Sequence, residues 1–232
     1  MTGNAPTAIK ICGLQTEQVI RDIQSLPITY IGLVFAPSRR QVTAQQAAKL
    51  IRAVKESPEP LRPKAAGVFV NPTLELLEQT MEEAQLDVIQ LHGQESPAFC
   101  TQVQQRFGVD IFKAISFSAA SACSASEPVR PAAWQVAEYG NSVSALLLDT
   151  HDPVHGGGSG KTFSWEVIPE FYEQAHQAGM KLFIAGGLNP ENVSRLLDTY
   201  DLDGVDISSG VETDGVKDVN KIKQFVRRVI GL

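Results

Sequence analysis

Residues 181–208 read KLFIAGGLNPENVSRLLDTYDLDGVDIS. Lys181 to Ala185 is a short, mostly apolar run, and a glycine pair ends it. Asn189 is placed to cap a helix with Pro190 at its first position, where a missing N–H does no harm. Val193, Leu196, Leu197 and Tyr200 follow at i, i+3, i+4, i+7, one face of a helix. Gly204 to Ser208 is a second apolar run. The stretch reads as one β-α-β unit. Its strands are apolar almost throughout, as expected of parallel strands covered by helices.

The same unit recurs along the chain. Ala8 to Cys12 is a strand, followed by a helix that Thr16 can cap and that carries Val19, Ile20 and Ile23. Tyr30 to Phe35 precedes a helix capped by Thr43, with Ala47, Leu50, Ile51 and Val54 on one face. Ala65 to Val70 precedes Leu74, Leu77 and Met81; Val88 to Leu91 precedes a helix over Pro97 to Arg106. Asp110 to Ser116 is a fifth strand. The Ala- and Ser-rich segment Ser118 to Pro131 leads from it into a short helix around Trp134. Ala145 to Asp149 is a sixth strand. A glycine loop separates it from a helix over Trp165 to Ala178, and Val219, Ile222, Val226 and Val229 mark a last helix. Eight βα units with no linker between them predict a single-domain α/β fold, a (β/α)8 TIM barrel over residues 8–232 behind a short tail, 1–7. An open, doubly wound sheet is the alternative.

Composition is consistent with this. A chain of 232 residues with 43% apolar and 20% charged residues is an ordinary globule. The net charge of −6 supplies no basic field for nucleic acid, so an anionic ligand needs a local site. Three cysteines, an odd number without metal-ligand spacing, argue against a disulfide framework and for a reducing, cytoplasmic setting. Met1 to Thr7 lacks the apolar core of a signal peptide, and no apolar run is long enough to span a membrane.

In such a barrel the chemistry belongs at the C-terminal ends of the strands. Those ends carry Cys12-Gly13, Ser38-Arg39-Arg40, Asn71, His92-Gly93, Asp149, Gly186-Gly187 and Ser208-Ser209-Gly210. Glycine loops after strands seven and eight suit a phosphate, because small residues let backbone N–H groups approach the anion. Either loop alone is equally well explained as a tight βα turn; the two together favour phosphate. The loop Gly156 to Thr162 resembles a nucleotide P-loop, but His155 stands where that motif needs glycine, and six residues separate it from its strand. It is either a surface loop or a lid whose glycines, Gly158 and Gly160 among them, offer N–H groups to a ligand.

The single residues carry open readings. Cys12 is a small core hydrophobe or a reactive group at a strand end, and Cys100 and Cys123 are core hydrophobes or surface residues. Asp149 is a cap, an ion-pair partner or a catalytic carboxylate. Arg39 and Arg40 are a solvated pair or a fork for a carboxylate. His92 is a core histidine or a ligand contact. His151, His155 and His176 lack metal-ligand spacing, so no metal is expected.

With these residues in view, the sequence resembles the phosphoribosylanthranilate isomerase family of tryptophan biosynthesis. The resemblance lies in Lys10-Ile11-Cys12-Gly13, Phe35 with Ser38-Arg39-Arg40, Gly67 to Asn71, Val88 to Gly93, Leu147-Leu148-Asp149, Gly158 to Phe163, Ala185 to Val193 and Val205 to Glu212. It spans nearly the whole chain. It implies a barrel without metal or organic cofactor. The implied activity is an intramolecular oxidoreduction, the Amadori rearrangement of N-(5-phospho-β-D-ribosyl)anthranilate to 1-(2-carboxyphenylamino)-1-deoxy-D-ribulose 5-phosphate. By the same resemblance Cys12 is the general base and Asp149 the general acid. Arg40, with Arg39 as fallback, holds the anthranilate carboxylate; His92 and Asp206 also touch substrate; and the phosphate lies against Gly158, Gly160, Gly186, Gly187, Ser208, Ser209 and Gly210. Monomer and homodimer both remain open.

The chemistry demands such a pair. Opening the ribose ring needs an acid at the ring oxygen, and the resulting Schiff base must lose its C2 proton to a base. In a closed ring of eight strands, strands one and six are nearly opposite. A free Asp near ~3.9 and a free Cys near ~8.5 are poorly matched to neutral pH, so the site should shift both toward it. Two rivals remain. The related isomerase of histidine biosynthesis would favour an aspartate at position 12, and a non-catalytic phosphosugar-binding barrel would not need Cys12 and Asp149 together.

Overall fold

The computed structural model describes residues 6–117, 132–150 and 165–232. Eight strands, β1 (Ala8–Cys12), β2 (Tyr30–Val34), β3 (Lys64–Phe69), β4 (Val88–Leu91), β5 (Asp110–Phe117), β6 (Ala145–Thr150), β7 (Lys181–Ile184) and β8 (Gly204–Ile207), form a closed barrel in sequence order. Closure is made by β1, which pairs in parallel with β2 through Lys10 and Tyr30 and with β8 through Lys10 and Asp206. The open sheet is thereby excluded. The helices are α1 (Glu17–Ile23), α2 (Ala44–Lys55), α3 (Leu74–Glu83), α4 (Pro97–Phe107), α5 (Ile168–Gln177), α6 (Val193–Thr199) and α7 (Val219–Val229). After β5 the chain forms a 3-10 helix, Ala132–Tyr139, where a short helix around Trp134 was expected. The Ser118–Pro131 segment and most of the expected tail, residues 1–5, lie outside the described residues.

Most expected caps are present. The Thr16 hydroxyl accepts from the Val19 N–H, and Thr43 and Gln46 form a reciprocal capping box on α2. Two expectations need correcting. Asn189 does not cap α6 itself. Its Oδ1 accepts from the N–H groups of Glu191 and Asn192 and so closes a turn, out of which the helix starts at Val193. The helix expected from Trp165 begins as a 3-10 turn, Trp165–Val167, and becomes α-helical at Ile168.

Alternation along the strands makes two cores. Ile9, Ile11, Leu33, Ile89, Leu146, Ile184 and Val205 face outward and are buried beneath helix residues such as Leu50, Leu77 and Phe225. Each such side chain contributes roughly 1.5–3 kcal/mol on burial. Inside the barrel, the Tyr30 ring meets Phe112 and Phe183 edge-on, with centroids 5.2 and 5.8 Å away. Ala66, Val88, Ala145 and Leu147 pack with them. The interior is thus a filled core and not a pore.

A hairpin follows β8 that the strand pattern did not reveal: β9 (Glu212–Thr213) and β10 (Val216–Lys217). Its turn, Asp214-Gly215, has φ of 51° and 81°, the positive pair that a two-residue hairpin requires. It carries Glu212 and Lys217 back over the end of β8. Among the described residues no helix is long and apolar enough to cross a membrane.

Candidate active site

Cys12 is the last residue of β1 and is 8% exposed. Its sulfur lies where a side chain at Gly32 would stand, so the small residue on β2 makes room for it. Its carbonyl accepts the Ser208 hydroxyl at 3.2 Å, which ties the ends of β1 and β8 together. Two residues earlier on the same inner face is Lys10, fully buried, with Nζ 3.0 Å from Asp206 Oδ2. Burial pushes the Cys12 thiol up, away from neutrality and not toward it as expected, because desolvation outweighs the nearby cations; Lys10 and Lys217 oppose that rise, and the Asp206 charge adds to it. Burial would push Lys10 down, but the charges of Asp206 and Cys12 outweigh it and leave the ammonium above its usual range. Asp206 is itself raised, chiefly by burial against the pull of Lys10. Its Oδ1 has no hydrogen-bond partner among the described residues.

Asp149 is the penultimate residue of β6, in register with Ser116 of β5. His92, just beyond β4, places Nε2 3.3 Å from Asp149 Oδ2. Its other ring nitrogen, Nδ1, is 3.2 Å from Gln90 Nε2. Asp206 feels the charges of both Asp149 and His92. From Cys12 through Lys10 and Asp206 to Asp149 and His92, an ionisable row crosses the barrel mouth. In ring order β6 and β1 are separated only by β7 and β8.

The loop after β2 supplies a second charged group. Arg40 forks onto Glu212, with Nε 2.6 Å from Oε1 and Nη2 3.0 Å from Oε2. Arg39 Nη2 is 2.7 Å from the same carboxylate, and Lys217 Nζ is 2.6 Å from Oε1. Arg40 is the more buried arginine, at 13% side-chain exposure against 58%, and it packs on Gly13 beside Cys12. Burial acts to raise Glu212, but hydrogen bonds from Arg40 and Lys217 hold it at about 2.

The glycine loops after β7 and β8 approach each other closely. Gly186 and Gly187 both adopt positive φ, 75° and 66°, turning the chain sharply after β7. Gly210 lies so close to the Leu188 carbonyl that a Cβ there would collide with it. Ser208 and Ser209 begin the turn over Ser209–Val211, and Lys217 Nζ donates to the Ser208 carbonyl at 2.8 Å. Gly158 and Gly160 lie outside the described residues.

The structure therefore gathers Cys12, Arg40, His92, Asp149, Gly186, Gly187, Asp206, Ser208, Ser209 and Gly210 at one end of the barrel. Lys10, Gln90, Glu212 and Lys217 were missed as single residues. Lys10 and Gln90 had a legible signal, each being a polar residue inside an apolar strand run, two positions before Cys12 and His92. Glu212 and Lys217 had only an indirect one, the Asp214-Gly215 dipeptide between them, which favours a two-residue hairpin and went unread.

Fold and site together define an enzyme barrel with its ionisable groups and small-residue loops at the C-terminal mouth. The sequence profile of the N-(5'phosphoribosyl)anthranilate (PRA) isomerase family matches residues 9–228. An N-(5'-phosphoribosyl)anthranilate isomerase from Brevibacillus brevis is 48% identical over 223 residues, covering 96% of this chain and 93% of that one. The crystal structure of the Thermotoga maritima phosphoribosyl anthranilate isomerase superposes with a TM-score of 0.76 at 31% identity, covering 97% and 100% of the two chains. A crystal structure of a phosphoribosyl anthranilate isomerase in complex with reduced 1-(o-carboxyphenylamino)-1-deoxyribulose 5-phosphate gives 0.74 at 29% identity and the same coverage. The chain belongs to the phosphoribosylanthranilate isomerase family, EC 5.3.1.24, enzymes of tryptophan biosynthesis.

Proposed function

We propose that this chain carries out the Amadori rearrangement of N-(5-phospho-β-D-ribosyl)anthranilate, with Asp149 as general acid and Cys12 as general base. Asp149 gives its proton to the furanose ring oxygen as the C1–O bond breaks, and the anthranilate nitrogen supplies the electrons for the Schiff base. The Cys12 thiolate then takes the C2 proton, leaving an enolamine. Protonation at C1 and loss of the C2 hydroxyl proton give the aminoketone, so C2 is oxidised as C1 is reduced and no external electron carrier is needed.

The supporting observation is the placement of Asp149 against His92 at one side of the mouth, with Cys12 beside the Lys10–Asp206 pair at the other. In this reading Asp206 and His92 meet the sugar, Arg40 meets the anthranilate carboxylate, and Gly186, Gly187, Ser208, Ser209 and Gly210 hold the phosphate, with Gly158 and Gly160 closing over it. The enzyme works in the cytoplasm as a monomer or homodimer, without metal or organic cofactor. Loss of anthranilate-derivative fluorescence from freshly made substrate reads the reaction. Asp149→Asn and Cys12→Ala should each lower kcat by at least about two orders of magnitude. Near-native kcat in either variant removes that residue from its role.

A further inference from the structure

We propose that Gln90 is a positioning residue for the acid: its side-chain amide holds His92 as a neutral imidazole, so that Asp149 keeps the ability to carry a proton. The inference rests on the reading of Asp149 as the acid.

Gln90 lies on β4 two residues before His92, so both side chains face the barrel interior. It is 1% exposed. Its Nε2 is 3.2 Å from His92 Nδ1, while His92 Nε2 is 3.3 Å from Asp149 Oδ2. With the amide nitrogen facing the ring, its N–H donates and Nδ1 is the acceptor, without a proton. The single proton of the neutral ring then sits on Nε2, facing Asp149. Protonating Nδ1 as well would set two N–H groups against each other. Gln90 Oε1 has no partner among the described residues, so the contact with the ring is what orients this buried amide.

The surrounding charges explain why such control is needed. Asp149 from β6 and Asp206 from β8 both favour an imidazolium at His92. Lys10 of β1 is occupied by Asp206, and Lys113 of β5 by Glu95 and the carbonyls of Gly93 and Ala114. An imidazolium at this position would be a cation beside Asp149. A cation there would hold Asp149 as a carboxylate and spoil it as an acid. A neutral N–H is a weaker partner, and it leaves the carboxyl group free to be reprotonated between turnovers.

Nitrogen NMR of the 15N-labelled full chain tests this, with His92 assigned by the signal lost in His92→Asn. The expected wild-type ring is neutral and protonated on Nε2 at pH 7. In Gln90→Glu the new carboxylate accepts a proton instead of donating one. His92 should then titrate about one pH unit higher or more, and kcat at pH 7 should fall about tenfold with a smaller change in KM. Gln90→Met, which cannot donate and accepts only weakly, should fall between the two. A wild-type ring protonated on Nδ1 overturns the inference. So does a His92 titration that is unmoved in both folded variants. If Asp149→Asn keeps native kcat, the acid assignment falls, whereas the tautomer is measured independently of turnover.

Discussion

Lys10 Nζ and Asp206 Oδ2 stand 3.0 Å apart across the β1–β8 pairing, with side-chain exposures of 0% and 8%. They form an ion pair inside a protein interior, directly beneath the proposed base. Removing one member of such a pair leaves the other charge uncompensated, at a cost of about 3–5 kcal/mol. Lys10→Met should therefore lower the unfolding free energy by about that much, measured by chemical denaturation. It should also move the pH dependence of Cys12 alkylation upward, because the cation opposing the burial of the thiol is gone. Comparison with Cys12→Ala separates this signal from Cys100, whose buried thiol is pushed up to about 11. An unchanged alkylation profile would show that Lys10 does not act on the thiol.

The Glu212 carboxylate lies at about 2 in the folded state, below the ordinary 4.5. A depressed carboxylate contributes stability that is complete above its unfolded value and is lost as pH falls through the folded one. The contribution of Glu212 is thus full above about pH 4.5 and disappears toward pH 2. Glu212→Gln should be less stable than the parent at pH 6, with the gap closing as pH is lowered into that window. Thermal melts at a series of pH values measure it. The same variant unclamps Arg40, so KM should rise more than kcat falls.

The barrel was legible because each βα unit repeats two periodicities, and eight repeats leave little freedom in topology. Cys12, His92 and Asp149 were legible because each ends an apolar run. Glu212 was not, although its position falls within the recognised segment Val205 to Glu212. Its role depends on a hairpin of two-residue strands, too short to show alternation, and on arginines 172 and 173 positions away in the chain. The partner of Arg40 is likewise a property of the folded chain alone: an arginine in sequence does not say which carboxylate it meets.

Gly210 tests the junction of the two glycine loops. A Cβ there would collide with the Leu188 carbonyl, which is backbone and cannot rotate aside. Gly210→Ala should push the loops after β7 and β8 apart. If the phosphate binds between them, KM rises about tenfold and inhibition by inorganic phosphate weakens in parallel. A stable variant with native KM would place the phosphate elsewhere.

The loop that carries His92 is anchored by a second buried ion pair. Lys113 Nζ lies 3.0 Å from Glu95 Oε2 and also donates to the carbonyls of Gly93 at 2.8 Å and Ala114 at 2.9 Å. Glu95 Oε1 accepts the N–H groups of Asn71 at 2.8 Å and Gly93 at 3.0 Å, so one carboxylate ties the ends of β3 and β4 together. Asn71 is held there at a φ of 46°, and its own Oδ1 accepts from the Gln94 N–H at 2.7 Å. The side chains of Lys113 and Glu95 are 4% and 2% exposed, so neither has water to fall back on. Lys113→Met should destabilise the fold by about 3–5 kcal/mol, most of it the cost of stranding Glu95. Adding Glu95→Gln to that variant removes the stranded charge while keeping an oxygen for the two backbone donors. The double variant should therefore be more stable than Lys113→Met alone. Denaturation of the parent, both single variants and the double gives the coupling. Additive losses would show that the pair does not work as a unit.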